Sequence, residues 1–514
     1  MKRILPVILL LLSFSLAFCQ QKTFDILSYG ATGDGQTDNT LSIQKAIDEA
    51  FANGGGLVEI PAGKFVTGVI HLKSNVGLHL AANGVLMGSA KRIDYGPGRA
   101  SALIVADGQQ NISITGKGTI DGQANKLIQD IYRMLKEGTL EDKEWQTYNE
   151  WHQMRPAEEN RPKIIGWKNC DGVQVKGVTI RDGLDWVQKY TNCSNLVIDS
   201  ITVQSTTFLN NDGIDIVDCK KVRITNCVIN AADDGICLKS ESMQGRCEDI
   251  HIEHCSIRSS ASAFKLGTAS RGHFSNITVR DLTIYDTYRS AIALETVDGA
   301  ILENIDIRNV TARNTGNAIF LRLGRRNRNA PAGELRHVYI GDVKAEIPAG
   351  KPDKGYEEEG PPEPFAHNVF PSSIVGLPGH PVQDITLENI DITYAGKSSK
   401  ETAFFSPDTL TRVPEKEANY PEFSMFGELP VSGFYARHVT GLHLKNVRLH
   451  YKAYDFRPAC LFDDVTGLSL SDISIGDKTG IPIILLNKVD SPVLNNIQLT
   501  VPPEKGIEHL IPPQ

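Results

Sequence analysis

The sequence contains no block of basic residues and, after its first eighteen residues, no long apolar run. Its formal net charge is −8 over 514 residues, which argues against nucleic acid or an anionic membrane surface as the partner. None of the later apolar stretches reaches the roughly 18 to 20 residues that a membrane-spanning helix needs. We therefore expect no membrane span and a neutral or weakly acidic soluble ligand.

The N-terminal residues have the three-part pattern of a secretory signal. Two basic residues precede an apolar run over residues 4–18, and polar residues follow from Gln20. We expect a signal peptide over residues 1–19 and a secreted or periplasmic protein. The alternative is an outer-membrane lipoprotein attached through Cys19, although Phe18 stands where such a signal has a small residue.

Short segments of alternating apolar and polar residues recur along the chain, and this repeat predicts the fold. Between Val173 and Ile277 the segments follow one another at intervals of 23 to 28 residues. Alternation with a period of two, interrupted by turn residues, indicates strands with one buried face. A single unit cannot bury that face, so neighbouring units must stack. A leucine-rich solenoid would need a Leu/Asn consensus and a helical segment in each repeat, and neither is present. We predict an all-β fold, a single-stranded right-handed parallel β-helix.

The repeat also suggests how the chain is organised. Residues 20–90 precede the regular strands and contain a helical pattern over Thr40–Ala52, so they are expected to cap the first coil. Residues 91–514 are expected to form the β-helix of a monomer. Insertions near 124–163, with Trp145, Tyr148 and Trp151, and near 350–435 either wall a cleft or decorate the surface.

The nine cysteines include five at intervals close to one repeat. The intervals are 23, 26 and 28 residues, and we interpret these side chains as stacked in neighbouring coils: Cys170, Cys193 and Cys219, then Cys227 and Cys255. Cys237 and Cys247 bracket a polar loop. They are the candidate pair for a disulfide in an exported protein.

Aligning the strands brings a group of charged residues together. Residues 213–217, 235–239, 263–267, 291–295 and 318–322 share apolar residues at their second and fourth places, so the third and fifth places must face outward. This register predicts an exposed column formed by Asp215, Lys239, Lys265, Glu295 and Arg322. Asp212 and Asp234 are expected in the turn just ahead of their strands.

Asp212 and Asp233 are 21 residues apart, about one coil, so three carboxylates are predicted to meet on one outer surface. Hydrolysis of a glycosidic bond needs one carboxylic acid to protonate the leaving oxygen and one carboxylate to activate water. Asp233 and Asp234 taken alone favour a plain Asp-Gly turn or a calcium site over a catalytic pair.

These motifs resemble those of glycoside hydrolase family 28, the polygalacturonase-like β-helix hydrolases that degrade pectin. The family's Asn-Thr-Asp-Gly motif corresponds to residues 210–213 and its Asp-Asp motif to Asp233 and Asp234, and residues 29–38 and 116–122 also look like family features. The resemblance implies inverting hydrolysis without a cofactor or metal. It assigns Asp233 as general acid, Asp212 and Asp234 as the residues that hold the attacking water, and Asn210 as a substrate-binding residue.

Two family motifs are absent. Residues 261–263 replace Gly-His-Gly, and residues 293–295 replace Arg-Ile-Lys. In polygalacturonases the missing Arg and Lys help to hold a galacturonate at the cleavage point. Glu295 would repel a uronate unless another cation compensates. We therefore expect Lys239, Lys265, Glu295 and Arg322 to bind the substrate, although each cation could equally be solvated or ion-paired.

The absent motifs indicate a divergent family member that acts on a pectic or related polysaccharide or oligosaccharide other than plain polygalacturonan. Either a uronate or a neutral sugar such as rhamnose occupies the cleavage point, and exo action is one option. Two alternatives stay open. One is a polysaccharide lyase in which the three aspartates bind calcium and Lys265 or Arg322 abstracts a proton. The other is a non-catalytic, carbohydrate-binding β-helix.

Overall fold

The computed structural model describes residues 22–145, 156–356, 369–398 and 413–511. The predicted signal peptide and the aromatic residues Tyr148 and Trp151 lie outside the described residues. The protein is a right-handed parallel β-helix, as predicted. Every pairing between its named strands is parallel, for example β1 (Thr23–Asp25) with β3 (Gly56–Ile60). No helix in the described part of the chain is long and apolar enough to cross a membrane.

The strands are short in the first coils and merge into longer ones later. The first sixteen are β1, β2 (Asp34–Asp38), β3, β4 (Gly63–Thr67), β5 (Ile70–His71), β6 (Val76–Leu80), β7 (Gly84–Gly88), β8 (Ile104–Asp107), β9 (Gln110–Gly116), β10 (Thr119–Asp121), β11 (Ile165–Lys168), β12 (Asp171–Lys176), β13 (Thr179–Arg181), β14 (Gln188–Thr191), β15 (Ser194–Asp199) and β16 (Thr202–Ser205).

The remaining strands complete the solenoid. They are β17 (Ile214–Val217), β18 (Lys220–Thr225), β19 (Val228–Ala231), β20 (Ile236–Ser240), β21 (Arg246–Glu253), β22 (Ser256–Ser259), β23 (Phe264–Ser270), β24 (His273–Thr296), β25 (Ile301–Leu323), β26 (Glu334–Ile347), β27 (Ser372–Val375), β28 (Val382–Tyr394), β29 (Phe434–Tyr451), β30 (Cys460–Ile475), β31 (Ile484–Asp490), β32 (Val493–Gln498) and β33 (Ile507–Ile511).

Within the described residues, three α-helices accompany the strands: α1 (Thr40–Ala52), α2 (Ala124–Glu137) and α3 (Pro503–Gly506). Helix α1 has the predicted bounds. Its apolar side, which includes Ile43 and Ile47, is fully buried in the main core. Helix α2 lies in the first predicted insertion and buries Leu127 and Ile131 in the same core.

The predicted register of the charged strands is confirmed. In successive coils Ile214 pairs with Ile236, Ile236 with Phe264, Phe264 with Ile292 and Ile292 with Ile319. These second-place side chains are all buried in the main core. Because side chains alternate between the two faces of a strand, the third and fifth places point away from that core.

Polar turn residues support the same stacking. Asn169 and Asn192 both have left-handed backbone φ angles, 54° and 52°, a conformation that asparagine tolerates because its side chain bonds locally. The Asn192 side-chain amide donates to Asn169 Oδ1 at 2.8 Å, and that of Asn169 donates to Asp107 Oδ1 at 2.9 Å. The turns are therefore joined from coil to coil by hydrogen bonds.

The predicted disulfide between Cys237 and Cys247 is wrong, since both thiols are free. Cys247 is buried in the main core, whereas Cys237 stands at an outward-facing third place between Asp215 and Lys265. Their thiols donate to different carbonyls, Cys237 to Gly267 O at 3.0 Å and Cys247 to Lys239 O at 3.2 Å. The five repeat-spaced cysteines are buried and free, as stacking predicts.

A second hydrophobic cluster covers part of the outward face of the strands. It joins outward side chains such as Ala293 and Phe320 to Phe423, Phe426 and other residues of the segment 413–433. Phe423 packs against Phe370 with ring centroids 4.6 Å apart. The second predicted insertion therefore covers the outer face of the later coils.

Candidate active site

Asp212 and Asp234 occupy equivalent turn positions in neighbouring coils. Asp212 accepts a backbone hydrogen bond from Val187 N at 2.9 Å, and Asp234 accepts one from Gly213 N at 2.8 Å. One carboxylate oxygen of each residue lies within 4.8 Å of the other and of the Cys237 sulfur. Both aspartates are buried, whereas Asp233 is half-buried. The turns thus bring the three sequence-predicted carboxylates to one place.

The two turns are held by hydrogen bonds to their own backbone and to the backbone of neighbouring coils. The Asp233 side chain accepts from Asp234 N at 2.8 Å, and Asp234 accepts from Ser262 N at 3.1 Å. In the preceding turn, the Asn211 side chain donates to Asp185 O at 3.0 Å and accepts from Phe208 N at 3.2 Å. Bonds of this kind fix the direction in which the carboxylates point.

Asn210 lies beside the first turn and contacts the first insertion. Its side-chain oxygen accepts from Arg161 Nη2 at 2.9 Å, and Arg161 also donates to Leu209 O at 2.7 Å. Arg161 itself packs over the Phe208 ring at 5.3 Å. The Asn210 side chain is thereby fixed at the edge of the carboxylate cluster.

Lys239 lies between two carboxylates. Its ammonium is 2.6 Å from Asp212 Oδ2, forms a second ion pair with Asp215, and stands 3.9 Å from the centroid of the Trp186 ring. Asp215 is fully buried and the Lys239 side chain is only 7% exposed. The prediction that this column is exposed is therefore wrong, because Trp186 and the adjoining turns cover it.

Lys265 has the same kind of environment one coil further on. Its ammonium is 3.1 Å from Asp234 Oδ2, 3.7 Å from Glu295 Oε2 and 3.2 Å from the Tyr420 hydroxyl. The Thr268 hydroxyl also donates to Glu295 at 3.2 Å. Lys265 and Glu295 are each no more than 2% exposed, because the segment 413–433 lies over them.

Arg322 does not face an open cleft. It is fully buried, and its guanidinium donates to Gly376 O at 3.0 Å and to Glu415 O at 2.6 Å. Burial lowers the pKa of Arg322 to about 10. The side chain joins the second insertion to the solenoid, so the structure supports a structural role and gives no support for the predicted contact with substrate.

The pKa values of the two adjacent aspartates move in opposite directions. Burial, followed by the charge of Asp234, raises the pKa of Asp233. Burial also opposes ionisation of Asp234, but the Lys265, Lys239 and Arg289 charges outweigh it and lower the Asp234 pKa. Two neighbouring carboxyls separated in this way are suited to be one acid and one base.

Sequence reasoning missed four residues at the site: Trp186, Arg289, Tyr420 and Glu422. Trp186 lies at the turn position one coil before Asp212, so the repeat itself could have identified it. Arg289 is buried, with its Nε 3.5 Å from Glu422 and its guanidinium 5.6 Å from the Tyr420 ring centroid. Tyr420 and Glu422 belong to an insertion, which has no periodic signal.

An open groove adjoins the carboxylates on the side of the earlier coils. It has a volume of about 430 Å³, and its polar lining includes Arg161, Lys163, Lys168, Lys189, Glu158 and Glu241. Lys189 pairs in register with Asp215, so the groove ends one strand away from the carboxylate cluster. On the other side, the second hydrophobic cluster begins at Ala293.

Fold and site together define a parallel β-helix protein whose turns bring together the carboxyl groups that glycoside hydrolysis requires. The sequence model of "Glycosyl hydrolases family 28" matches residues 55–359, and the chain belongs to this family. It is thus a polygalacturonase-like glycoside hydrolase, which confirms the resemblance seen in the motifs.

The relatives of this chain include polygalacturonases. The chain is 23% identical over 428 residues to a probable polygalacturonase of Vitis vinifera, covering 76% of this chain and 78% of that protein. The exopolygalacturonase structure from Thermotoga maritima is 25% identical, with a TM-score of 0.54, over 73% of this chain and 87% of that one. The family 28 exopolygalacturonase of Yersinia enterocolitica shares the fold. It is 18% identical, with a TM-score of 0.56, over 94% of this chain and 79% of that one.

Proposed function

We propose that the protein is an inverting glycoside hydrolase that acts at a chain end of a pectic or related polysaccharide. The observation that carries this proposal is the group of three carboxylates on two neighbouring turns, with the pKa values of Asp233 and Asp234 moved in opposite directions. The group stands where an open groove meets a covered stretch of the same sheet.

In the proposed mechanism Asp233 is the general acid. Its raised pKa keeps a proton available for the glycosidic oxygen, and it is the most accessible of the three aspartates. Asp234, ionised beside Lys265, takes a proton from the attacking water. Asp212, which has a carboxylate oxygen within 4.8 Å of one of Asp234, orients that water. An inverting enzyme uses such a pair of carboxyls on opposite sides of the sugar.

The covered outer face favours exo action. A polysaccharide lying in the groove along Lys163 and Lys189 would reach the carboxylates and then meet Tyr420 and the aromatic side chains around Phe423. A chain end fits this arrangement, whereas the middle of a long chain would need an open path on both sides. Release of small products from one end is therefore expected.

The charge balance at the cleavage point favours a neutral sugar there. Lys239 and Lys265 are already paired with carboxylates, and Arg322 is bound to backbone carbonyls. Lys265 is paired with Glu295 as well as with Asp234, so none of the three cations is free to bind a uronate. The groove carries several cations, so a substrate in which a neutral sugar adjoins a uronate fits both regions.

The lyase alternative is less well supported. A calcium ion at Asp212 and Asp234 would have to displace two ammonium groups at 2.6 and 3.1 Å. Nearby carboxylates raise the pKa of Lys265 well above its usual range despite the opposing effect of burial, so it is a poor proton acceptor. The Arg322 guanidinium is already hydrogen-bonded to backbone carbonyl groups.

The test is to incubate the purified protein with a panel of pectic polysaccharides and oligosaccharides and to identify the products. We expect a mono- or disaccharide from one chain end, with NMR of the first-formed product showing an inverted anomeric centre. A ladder of intermediate lengths would contradict exo action, and a retained configuration would contradict inversion. Unsaturated products that absorb ultraviolet light and vanish with chelator would establish a lyase, and binding without turnover would establish a carbohydrate-binding protein.

A further inference from the structure

The site contains the same three-residue arrangement twice, in neighbouring coils. In the first cluster the Lys239 ammonium lies between Asp212 of the turn and Asp215 of the strand. In the second, the Lys265 ammonium lies between Asp234 of the turn and Glu295 of a strand. Each lysine therefore joins one of the two proposed water-holding carboxylates to a second, buried carboxylate.

Neither lysine is placed to bind a substrate. The Lys239 and Lys265 side chains are 7% and 2% exposed. An ammonium has three donors, and each one here has three neighbours that can take them. The third neighbour is the Trp186 ring for Lys239 and the Tyr420 hydroxyl for Lys265.

The lysines have a clear electrostatic effect on the turn carboxylates. An unpaired buried carboxylate is costly and takes up a proton instead of staying charged. The groups that act on Lys239 are Asp212, Asp215, Cys237 and Asp234, and those that act on Lys265 are Asp234, Glu295, Tyr420 and Cys237. Removing either ammonium would leave at least two buried acidic groups without their nearest positive charge.

We propose that Lys239 and Lys265 are positioning residues that hold Asp212 and Asp234 in place for water activation, that Lys265 also keeps Asp234 ionised, and that neither lysine binds the substrate. Asp215 and Glu295 are their second anchors. This inference rests on the proposed function. It changes the expectation from sequence, in which both lysines and Glu295 contact the sugar.

The experiment compares Lys239→Met and Lys265→Met with Lys189→Met and Lys445→Met. Lys189 lines the open groove, and Lys445 pairs with Glu388 on the surface at 2.8 Å. We expect the first two variants to lose about 100-fold in kcat with little change in KM. Lys189→Met should raise KM with kcat nearly unchanged, and Lys445→Met should behave as the wild type.

Two further variants separate positioning from folding. Lys239→Arg and Lys265→Arg keep the positive charge and should recover part of kcat. Lys239→Met combined with Asp215→Asn removes the ammonium and its second carboxylate together, so it should fold better than Lys239→Met yet stay impaired in kcat. A raised KM with unchanged kcat in Lys239→Met or Lys265→Met would overturn the proposal, as would wild-type kcat.

Infrared spectroscopy gives a readout that does not depend on a substrate. At pH 6 Lys265→Met should show a new protonated-carboxyl band that disappears when Asp234→Asn is added. Absence of that band would overturn the inference even if the enzyme is active. A band in a protein that cleaves no pectic substrate would support the inference and reject the proposed function alone.

Discussion

Two stretches of the same sheet both have an apolar inner face, but one has a charged outer face and the other an apolar outer face. In the earlier coils, strands β11 and β14 present Lys168 and Lys189 to an open groove. In the later coils, β24 and β25 present Ala293 and Phe320 to a second hydrophobic cluster. The carboxylates lie at the boundary between the two stretches.

The comparison teaches that stability and function are carried by different faces of one strand. The inner face must match its neighbours in every coil, because each coil buries its apolar side chains only against the next. The outer face has no such constraint and can change from charged to aromatic within a few coils. Substitutions on the two faces should therefore have different consequences.

At the boundary itself, Asp233→Asn should lower kcat by about 10² to 10⁴-fold, because the proposed general acid loses its proton. The side-chain oxygen that accepts from Asp234 N is kept, so the melting temperature should hardly change. Asp249→Asn, at an exposed aspartate of strand β21, is the control. Equal activity in the two variants would reject the assignment of Asp233.

In the covered stretch, Phe423→Ala should destabilise the protein by about 3 to 5 kcal/mol, the usual cost of removing a buried Phe. Phe423 is 2% exposed and packs on the Tyr288 and Phe370 rings. Leu41→Ala, at a position 87% exposed, should cost less than about 0.5 kcal/mol. Denaturant unfolding measures both values. A small cost for Phe423→Ala would mean that the cover is not part of the cooperative fold.

The pH dependence of stability should differ between Glu295 in the covered stretch and Glu388, a half-buried glutamate that pairs with a surface lysine. Burial raises the pKa of Glu295 from 4.5 to about 7, so the folded state holds its proton longer than the unfolded state does. The stability that this provides is complete below pH 4.5 and is lost as the pH rises to about 7. Relative to Glu295→Gln, the wild type should therefore lose up to about 3 kcal/mol over this range.

The contribution of Glu388 to stability should depend on pH with the opposite sign. Its ion pair with Lys445 lowers its pKa, so its contribution is present above pH 4.5 and is lost as the pH falls. Unfolding free energies of wild type, Glu295→Gln and Glu388→Gln across pH 4 to 8 give both slopes. Two slopes of the same sign would contradict the assignment of Glu295 as the buried, proton-holding group.

At the rim of the open groove, Lys168→Met should have the smallest effect. Lys168 is 60% exposed and pairs with Asp107 at 3.0 Å, and such surface pairs contribute about 0 to 1 kcal/mol. KM should stay within about twofold of the wild-type value, and the free energy of unfolding within about 0.5 kcal/mol. A larger rise in KM would indicate that the substrate also contacts the rim of the groove.

Much of the site was predictable because the repeat has a fixed register. Once Ile214 and Ile236 are recognised as inward-facing, Asp212 and Asp234 must lie on neighbouring turns. The sequence also contained an indication, missed by the predictions, that another segment packs on the outer face of the later coils. Ala293 and Phe320 stand at outward-facing third places, and apolar side chains there indicate that something packs on them.

The amino-acid sequence was sufficient to predict the β-helix, the register of its strands and the meeting of three aspartates, because these follow from a local alternation repeated at nearly constant spacing. The enclosure of Lys239 and Lys265 between carboxylates and the bonds by which Arg322 holds an insertion became visible only in the folded chain. The reason is physical: these outcomes depend on how the segment 413–433 and the turns fold over the outer face, and such long-range packing leaves no periodic pattern in the sequence.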